Sequence, residues 1–295
     1  MATVLALVQA ACGHIGITPI PSSIVSTTDP VQIQLRNLLY STTRHLRSHK
    51  IWPQCKRTYS FTTTDDRVKY PLPTDFYSFM PATQYNQTQD RRLNGPVSDA
   101  QMNAALYGLA TGSVSEMTYR IFGMDGNPAT SGGQFNIDPD PGSTTQTLSF
   151  DYISKTMFLP KHWIASTAYV SGVYVNASGN VYLNDTNGTS ATTPPTAQTD
   201  NVTDGTTRWD YQADPYEAII LDTDLCLFDD DIVINGVIWR YNEIKGYEYA
   251  KIFQEYTQMI NNAQARWQGS FVGRMDMPAG LSRPRYTTPA GGWSF

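Results

Sequence analysis

Charge is scarce in this 295-residue chain: Asp, Glu, Lys and Arg make up 16% of it, against about a quarter in ordinary globular domains. The formal net charge of −5 argues against a general nucleic-acid-binding role. Cysteine is scarce too. Cys12, Cys55 and Cys226 are odd in number and far apart, so neither a disulfide framework nor a zinc spacing emerges. No apolar run is long enough to span a bilayer. The sequence also lacks GxSxG and CxxC, and GNPATSGG lacks the GK[ST] ending of a phosphate loop. His45 and His49 lie four apart, but HLRSH lacks the glutamate of a zinc-protease helix, and both are expected as exposed helix residues. Asp222, Asp224 and Asp229–Asp231 do not follow the EF-hand spacing and are expected to cap helices. The expectation is therefore a protein with no catalytic residues, no cofactor and no metal.

Tyrosine (18), glycine (21) and proline (18) are plentiful instead, which suits a Thr/Tyr-rich β-protein with long loops. Charge is uneven. The chain is basic from Arg36 to Lys69, whereas Arg208 is the sole Lys or Arg between Lys161 and Arg240. Such asymmetry fits an assembly part with oppositely charged ends, and chance equally well. N-x-S/T sequons occur at Asn86, Asn176, Asn184, Asn187 and Asn201 and matter only in a secretory compartment. MATVLALVQAAC resembles a lipoprotein signal ending in Cys12, but no Lys or Arg precedes Arg36. Val4, Val8, Ala11, Cys12 and Ile15 form a helical stripe instead, so a cytosolic, unglycosylated chain is expected.

Along the chain, a first helix is expected from Thr3 to Ile15. A second opens at TTDP, capped by Asp29 or Thr28 with Pro30 in the first turn, and buries Val31, Leu35, Leu38, Thr42 and Leu46. The period then changes to two. TYSFTTTDDRVKYPLP predicts a hairpin with Tyr59 and Phe61 on one face and a turn at Asp65–Asp66. Ser98 and Gln101 predict a capping box for a short helix with Met102, Ala105, Leu106 and Leu109 behind it. MTYRIFG, GQFNID and TQTLSFDYI are strand candidates. Asp229–Asp231 suit the start of a helix, although IVINGVIW also fits a strand. In the last helix Tyr249, Phe253, Tyr256, Ile260, Ala263 and Trp267 make a seam, read as a core face with a subunit interface as the alternative. The final segment has no periodicity and cannot build a core alone, yet it carries aromatics. That combination predicts an extended arm docking on another subunit.

The stretch SGNVYLNDTNGTSATTPPT, at 178–196, could be a linker, a stalk or a folded insert. Its surroundings favour an insert. Asp204-Gly205 signals a hairpin, Ser178-Gly179-Asn180 a turn, and Thr207, Trp209 and Tyr211 share a strand face. Residues 162–212 thus read as an antiparallel module. Its aromatics Trp163, Tyr182, Trp209 and Tyr211 form its core or, in the alternative, stack on sugar rings.

WIASTAYVSGVYV, GNVYL, GTS, PPT and TDGTTRWDY resemble a small β-module of bacteriophage structural proteins, distantly similar to short chitin-binding modules. The remainder resembles the head-to-tail adaptor (tail tubular protein A-like) proteins of short-tailed bacteriophages. That resemblance rests on the Trp52-Pro53 helix end, FTT…YPLPTDF, the RRLNGP turn and LDTDLCLFDDDIVINGVIWRY…KGYEYAKIFQEY, and it covers 1–161 and 213–269. It implies an α+β fold with a helical body and an antiparallel β region, over 1–161 and 213–269. A small all-β module is inserted at 162–212, and an extended C-terminal arm follows at 270–295. It implies a virion protein forming a ring, usually twelvefold, between the portal and the tail nozzle or tail fibre proteins. Genomic DNA passes through the bore without specific binding. The chain would reside in the host cytoplasm during assembly, with no membrane. Arg274, Arg283, Arg285, Tyr286, Trp293 and Phe295 would anchor the arm on the portal or a neighbouring subunit. A glycan-binding tail component acting through the module, and more remotely a cell-wall hydrolase, are the other readings.

Overall fold

The computed structural model describes residues 1–64, 68–73, 75–98, 100–101, 117–122, 133–138, 144–212 and 219–268, with no side-chain description for 267–268. The fold is α+β, with four helices and several antiparallel sheets among these residues.

Helix α1 (Val4–Ile15) starts where the Thr3 side chain accepts the Ala6 N–H at 3.2 Å, and ends at Gly16 in the left-handed region (φ 78°). It buries Val4, Leu7, Val8, Ala11 and Cys12, so the apolar N-terminal stretch is core. Helix α2 (Pro30–His49) is capped by Asp29, whose carboxylate accepts the Val31 N–H at 2.8 Å. Its buried face is Leu35, Leu38, Leu39, Thr42, Thr43 and Leu46. Val31, expected on that face, is 37% exposed: it sits in the first turn, beyond the packed part of the helix.

Helices α3 (Asp230–Lys245) and α4 (Ala250–Gln268) lie at the other end of the chain, yet α3 packs between α1, α2 and α4. This position settles IVINGVIW as helix. Ile232, Val233, Gly236, Val237, Ile238 and Tyr241 are buried almost all round, as a helix with neighbours on several sides requires. The same all-round burial lets the segment pass for a strand in sequence. At Gly236 the crossing with α2 is close enough that a Cβ would lie 2.3 Å from Thr42 Cγ2. On α4 the seam is split. Tyr256, Ile260 and Ala263 are buried, whereas Tyr249 and Phe253 are 37% and 41% exposed.

Between α2 and α3 the body contributes β1 (Lys56–Thr62), β2 (Lys69–Pro71), β3 (Phe76–Phe79), β4 (Tyr85–Asn86), β5 (Arg91–Arg92), β6 (Thr118–Phe122), β7 (Gln134–Asp138), β8 (Thr147–Ser154) and β9 (Phe158–Leu159). One sheet has the order β1-β8-β4-β5 with β3 also on β8, and a second has the order β2-β7-β6. The expected hairpin between β1 and β2 does not form. β1 pairs over its full length with β8, and β2 pairs with β7. A seven-residue ladder with β8 outweighs a three-residue local one. Phe61 and Tyr70 still meet at 4.7 Å, but across the two sheets rather than along one. Tyr59 and Phe61 do share a face, in an aromatic core with Phe79, Tyr119, Phe135 and Phe150. The turn at Asp65–Asp66 lies outside the described residues. So do Met102, Ala105, Leu106 and Leu109, although the Ser98–Gln101 capping box ahead of them is formed in both directions (2.9 and 3.3 Å).

The 162–212 region holds β10 (Ala168–Tyr169), β11 (Tyr174–Ala177), β12 (Asn180–Thr186), β13 (Gly188–Thr189), β14 (Val202–Asp204) and β15 (Thr207–Gln212), and β16 (Leu225–Cys226) follows. The order β11-β12-β15-β14 makes a four-stranded antiparallel sheet. Ala177 pairs with Asn180 across Ser178-Gly179, both with positive φ (52° and 82°), the signature of a primed hairpin turn. β9 pairs with β16, so the strands before and after the region lie side by side. The 178–196 stretch is therefore neither a linker nor a detached bead. On β12, Tyr182 faces the module core, while Val181, 5% exposed, belongs to the helical body's core.

Candidate interaction surfaces

Local chemistry builds the module's centre around one carboxylate. Trp209 and Tyr182 are fully buried and Trp163 is half-buried. Both indole N–H groups, of Trp163 and Trp209, donate to Asp204 Oδ2 at 2.8 Å, and Oδ1 accepts the Ala191 N–H at 2.8 Å. The Tyr182 hydroxyl donates to the Ala197 carbonyl at 3.1 Å. Tyr169 meets Trp209 edge-on at 5.1 Å, and Tyr211 meets Tyr182 at 6.1 Å. Three donors converging on a carboxylate that is 4% exposed contribute roughly 1.5–3 kcal/mol each. Trp209 and Tyr182 thus have no free face for a ligand. Sequence reasoning used Asp204 as a turn residue and missed this role. The available signal was a pair of tryptophans whose indole N–H groups need acceptors once buried.

Of the named aromatics, Tyr211 alone reaches a cleft, about 480 Å³ in volume, between the module and the β1 sheet. Arg57, Tyr59 and Asp75 line the body side, and Asn180, Gln198 and Tyr211 the module side. Asp75 is 8% exposed and fully engaged. Oδ1 accepts the Tyr152 hydroxyl at 2.7 Å, Oδ2 accepts Ser154 Oγ–H at 2.6 Å, and Arg57 Nε lies 3.6 Å from Oδ2. Burial, and then the Asp75 charge, push the Tyr152 phenol far above its ordinary range.

The acidic segments work mostly as loop staples rather than as helix caps. Asp229 does cap α3, accepting the Asp231 N–H at 3.2 Å. Asp222 instead holds the 23–25 turn, accepting Ile24 N–H (2.8 Å), Val25 N–H (3.2 Å) and Ser23 Oγ–H (2.6 Å). Asp224 Oδ2 accepts the Ile220 and Leu221 N–H groups at 2.8 and 2.9 Å. Burial raises its pKa against the opposing pull of those bonds. Asp230 takes the Ala2 N–H at 2.9 Å and lies 3.7 Å from the terminal amine. These carboxylates tie chain segments distant in sequence, which helical spacing could not reveal. Among the described residues no three His, Cys, Asp or Glu side chains gather in a metal-ligating group.

His45 departs from expectation. It is half-buried rather than exposed, with Nδ1 3.0 Å from the Tyr256 hydroxyl and its ring stacked 5.2 Å from His49. Burial first, then the charges of Arg240 and His49, hold its pKa below the ordinary 6.5. His49 is exposed. The Arg240 guanidinium stacks 4.2 Å over Trp239 and donates to Thr42 Oγ1 at 3.1 Å.

Where α3 turns into α4 large apolar side chains are exposed among the equally exposed Glu243, Lys245, Glu248 and Lys251. Ile244 and Tyr247 are 58% and 60% exposed, beside the exposed Tyr249 and Phe253, and Phe253 packs edge-on against Trp239 at 5.1 Å. The proposed arm anchors Arg274, Arg283, Arg285, Tyr286, Trp293 and Phe295 lie outside the described residues. No protein-family model and no curated protein matches the chain.

Proposed function

We propose that the chain is a structural virion protein, a head-to-tail adaptor of a short-tailed bacteriophage. In this reading copies assemble into a ring, twelvefold in the family it resembles, between the portal and the tail nozzle or fibre proteins. Genome DNA crosses the bore without specific binding. The observation that carries the assembly step is the apolar tip of the α3–α4 hairpin. Ile244, Tyr247, Tyr249 and Phe253 are all exposed in the short span where α3 ends and α4 begins. Such a surface calls for a neighbouring subunit, and a ring supplies one to every copy. The net charge of −5 supports passage of DNA without adhesion.

Native mass spectrometry and negative-stain imaging, on the chain alone and mixed with portal rings, test the proposal. A closed ring, or a complex formed on the portal, is the expected outcome. A chain that stays monomeric beside portal rings would refute it.

A further inference from the structure

A hollow of about 620 Å³ opens between the start of α3 and the end of α4, and a smaller one of about 190 Å³ adjoins it, sharing Asp229, Asp231, Ala263 and Arg266. Together they form one groove. Met1, 67% exposed, lines the larger hollow, and the half-buried Met259 lines the smaller. Methionine adapts its shape to a neighbour and makes favourable contacts with aromatic rings. The rim is acidic. Asp229 is engaged in capping its own helix, and Asp230 holds the Ala2 N–H. The exposed Asp231 carboxylate has neither a hydrogen bond nor an ion pair among the described residues. One wall also holds an unmet acceptor: Gln54 Oε1 is buried with no hydrogen-bond partner among the described residues. The groove thus calls for an aromatic ring, a cation and an N–H donor.

It lies where the described chain stops. Arg266 lines the groove, and α4 ends two residues later at Gln268. Residues 269–295 lie outside the described residues, and their sequence carries what the groove lacks. Arg274, Arg283 and Arg285 stand there against Asp276 alone. The run Arg283-Pro284-Arg285-Tyr286 combines two cations with a ring. Proline biases the residue before it towards extended backbone, and in an extended segment residues two apart share a side. Both guanidinium groups then point one way and the tyrosine ring the other. Residues 269–282 join this run to α4 and include Gly269, Gly273 and Gly280. A flexible chain of that length spans about 20 Å. The chain's own run is therefore present at an effective concentration in the millimolar range, which a second copy at micromolar concentration does not match.

We propose that the Arg283–Tyr286 run docks in this groove on its own chain. Tyr286 packs against Met1 or Met259, Arg283 and Arg285 face Asp231 and Asp229, and an N–H of the run reaches Gln54 Oε1. Residues expected from the sequence to reach another subunit thus have a first docking place at home. The inference stands independently of ring assembly, because Ile244 and Tyr247 lie at the far end of α3 from Asp229–Asp231.

Photo-crosslinking of the full chain tests this, with benzoylphenylalanine in place of Tyr286 and the linked peptides read by mass spectrometry. The expected result is a link to Met1, Gln54 or Met259 within a single polypeptide, at monomer mass and independent of protein concentration. Its yield should fall about fivefold when Arg283→Glu and Arg285→Glu are combined, and likewise in Asp231→Lys. Joining the three changes reverses both partners and should restore part of the yield. The arginine changes lie outside α3 and α4, so they read the docking even if Asp231→Lys perturbs the start of α3. Links only between copies, links scattered away from the groove, or an undiminished yield in the double arginine variant would each overturn the proposal.

Discussion

Trp209 in the inserted module and Trp239 on α3 solve the same problem differently. Trp209 is fully buried, and its indole N–H reaches a buried carboxylate. Trp239 is half-buried, and its buried Nε1 has no hydrogen-bond partner among the described residues; its ring sits beneath a guanidinium and against Phe253. The module's core is small, so its rings are located by polar contacts of defined direction, centred on Asp204. The helical body buries a far larger apolar set and tolerates unmet donors at Trp239 Nε1 and Gln264 Nε2 among the described residues. Small regions are held by specific bonds, large ones by area.

The comparison breaks most sharply at Asp204. Asp204→Ala leaves two indole N–H groups and the Ala191 N–H without an acceptor. It should cost about 3–5 kcal/mol and unfold the module first, which hydrogen exchange resolved to residues 162–212 would report. Asp204→Asn keeps an oxygen acceptor and should lose less. Equal losses would mean that charge matters more than directional bonding. Next comes Gly236→Ala in the helical body, where the new methyl collides with Thr42. Overpacking of about 1–3 kcal/mol is expected in chemical denaturation, as a loss spread over the whole body.

Much of this was readable in advance. Asp29 and Asp229 each precede an apolar helical pattern, and each caps its helix, because capping is decided within a few residues. The primed turn at Ser178-Gly179 was legible for the same reason. The β1–β2 hairpin was not: alternation states that a strand exists and is silent on its partner. His45 was missed because its environment comes from α3 and α4, some two hundred positions away (|i−j| = 211 for the Tyr256 contact).

Smaller effects sharpen the contrast. Phe253→Ser at the apolar tip should change monomer stability by no more than about 0.5–1 kcal/mol, while weakening self-association or portal binding in sedimentation. A large loss of monomer stability would move Phe253 from the surface to the core. The smallest effect is on pH. Because the His45 pKa is lowered in the fold, the unfolded chain binds its proton first. Its contribution is therefore complete above the ordinary value of 6.5 and is lost as pH falls from there toward the lowered value. The groups facing it are His49 on α2, Arg240 on α3 and Tyr256 on α4. The advantage in melting temperature of the native chain over His45→Gln should shrink as pH falls through that window. A flat difference would show that the ring stays neutral-indifferent there.

Helix limits, caps, tight turns and the strand character of the module follow from residues close together in the chain, since the interactions that set them span only a few positions. The pairing of β1 with β8 rather than β2 depends on which contacts win after long loops close. So do the meeting of two indoles on one carboxylate, and the sharing of β12 between two cores through Val181 and Tyr182. Those competitions are settled by total buried area and satisfied donors across the whole molecule, which no local pattern records.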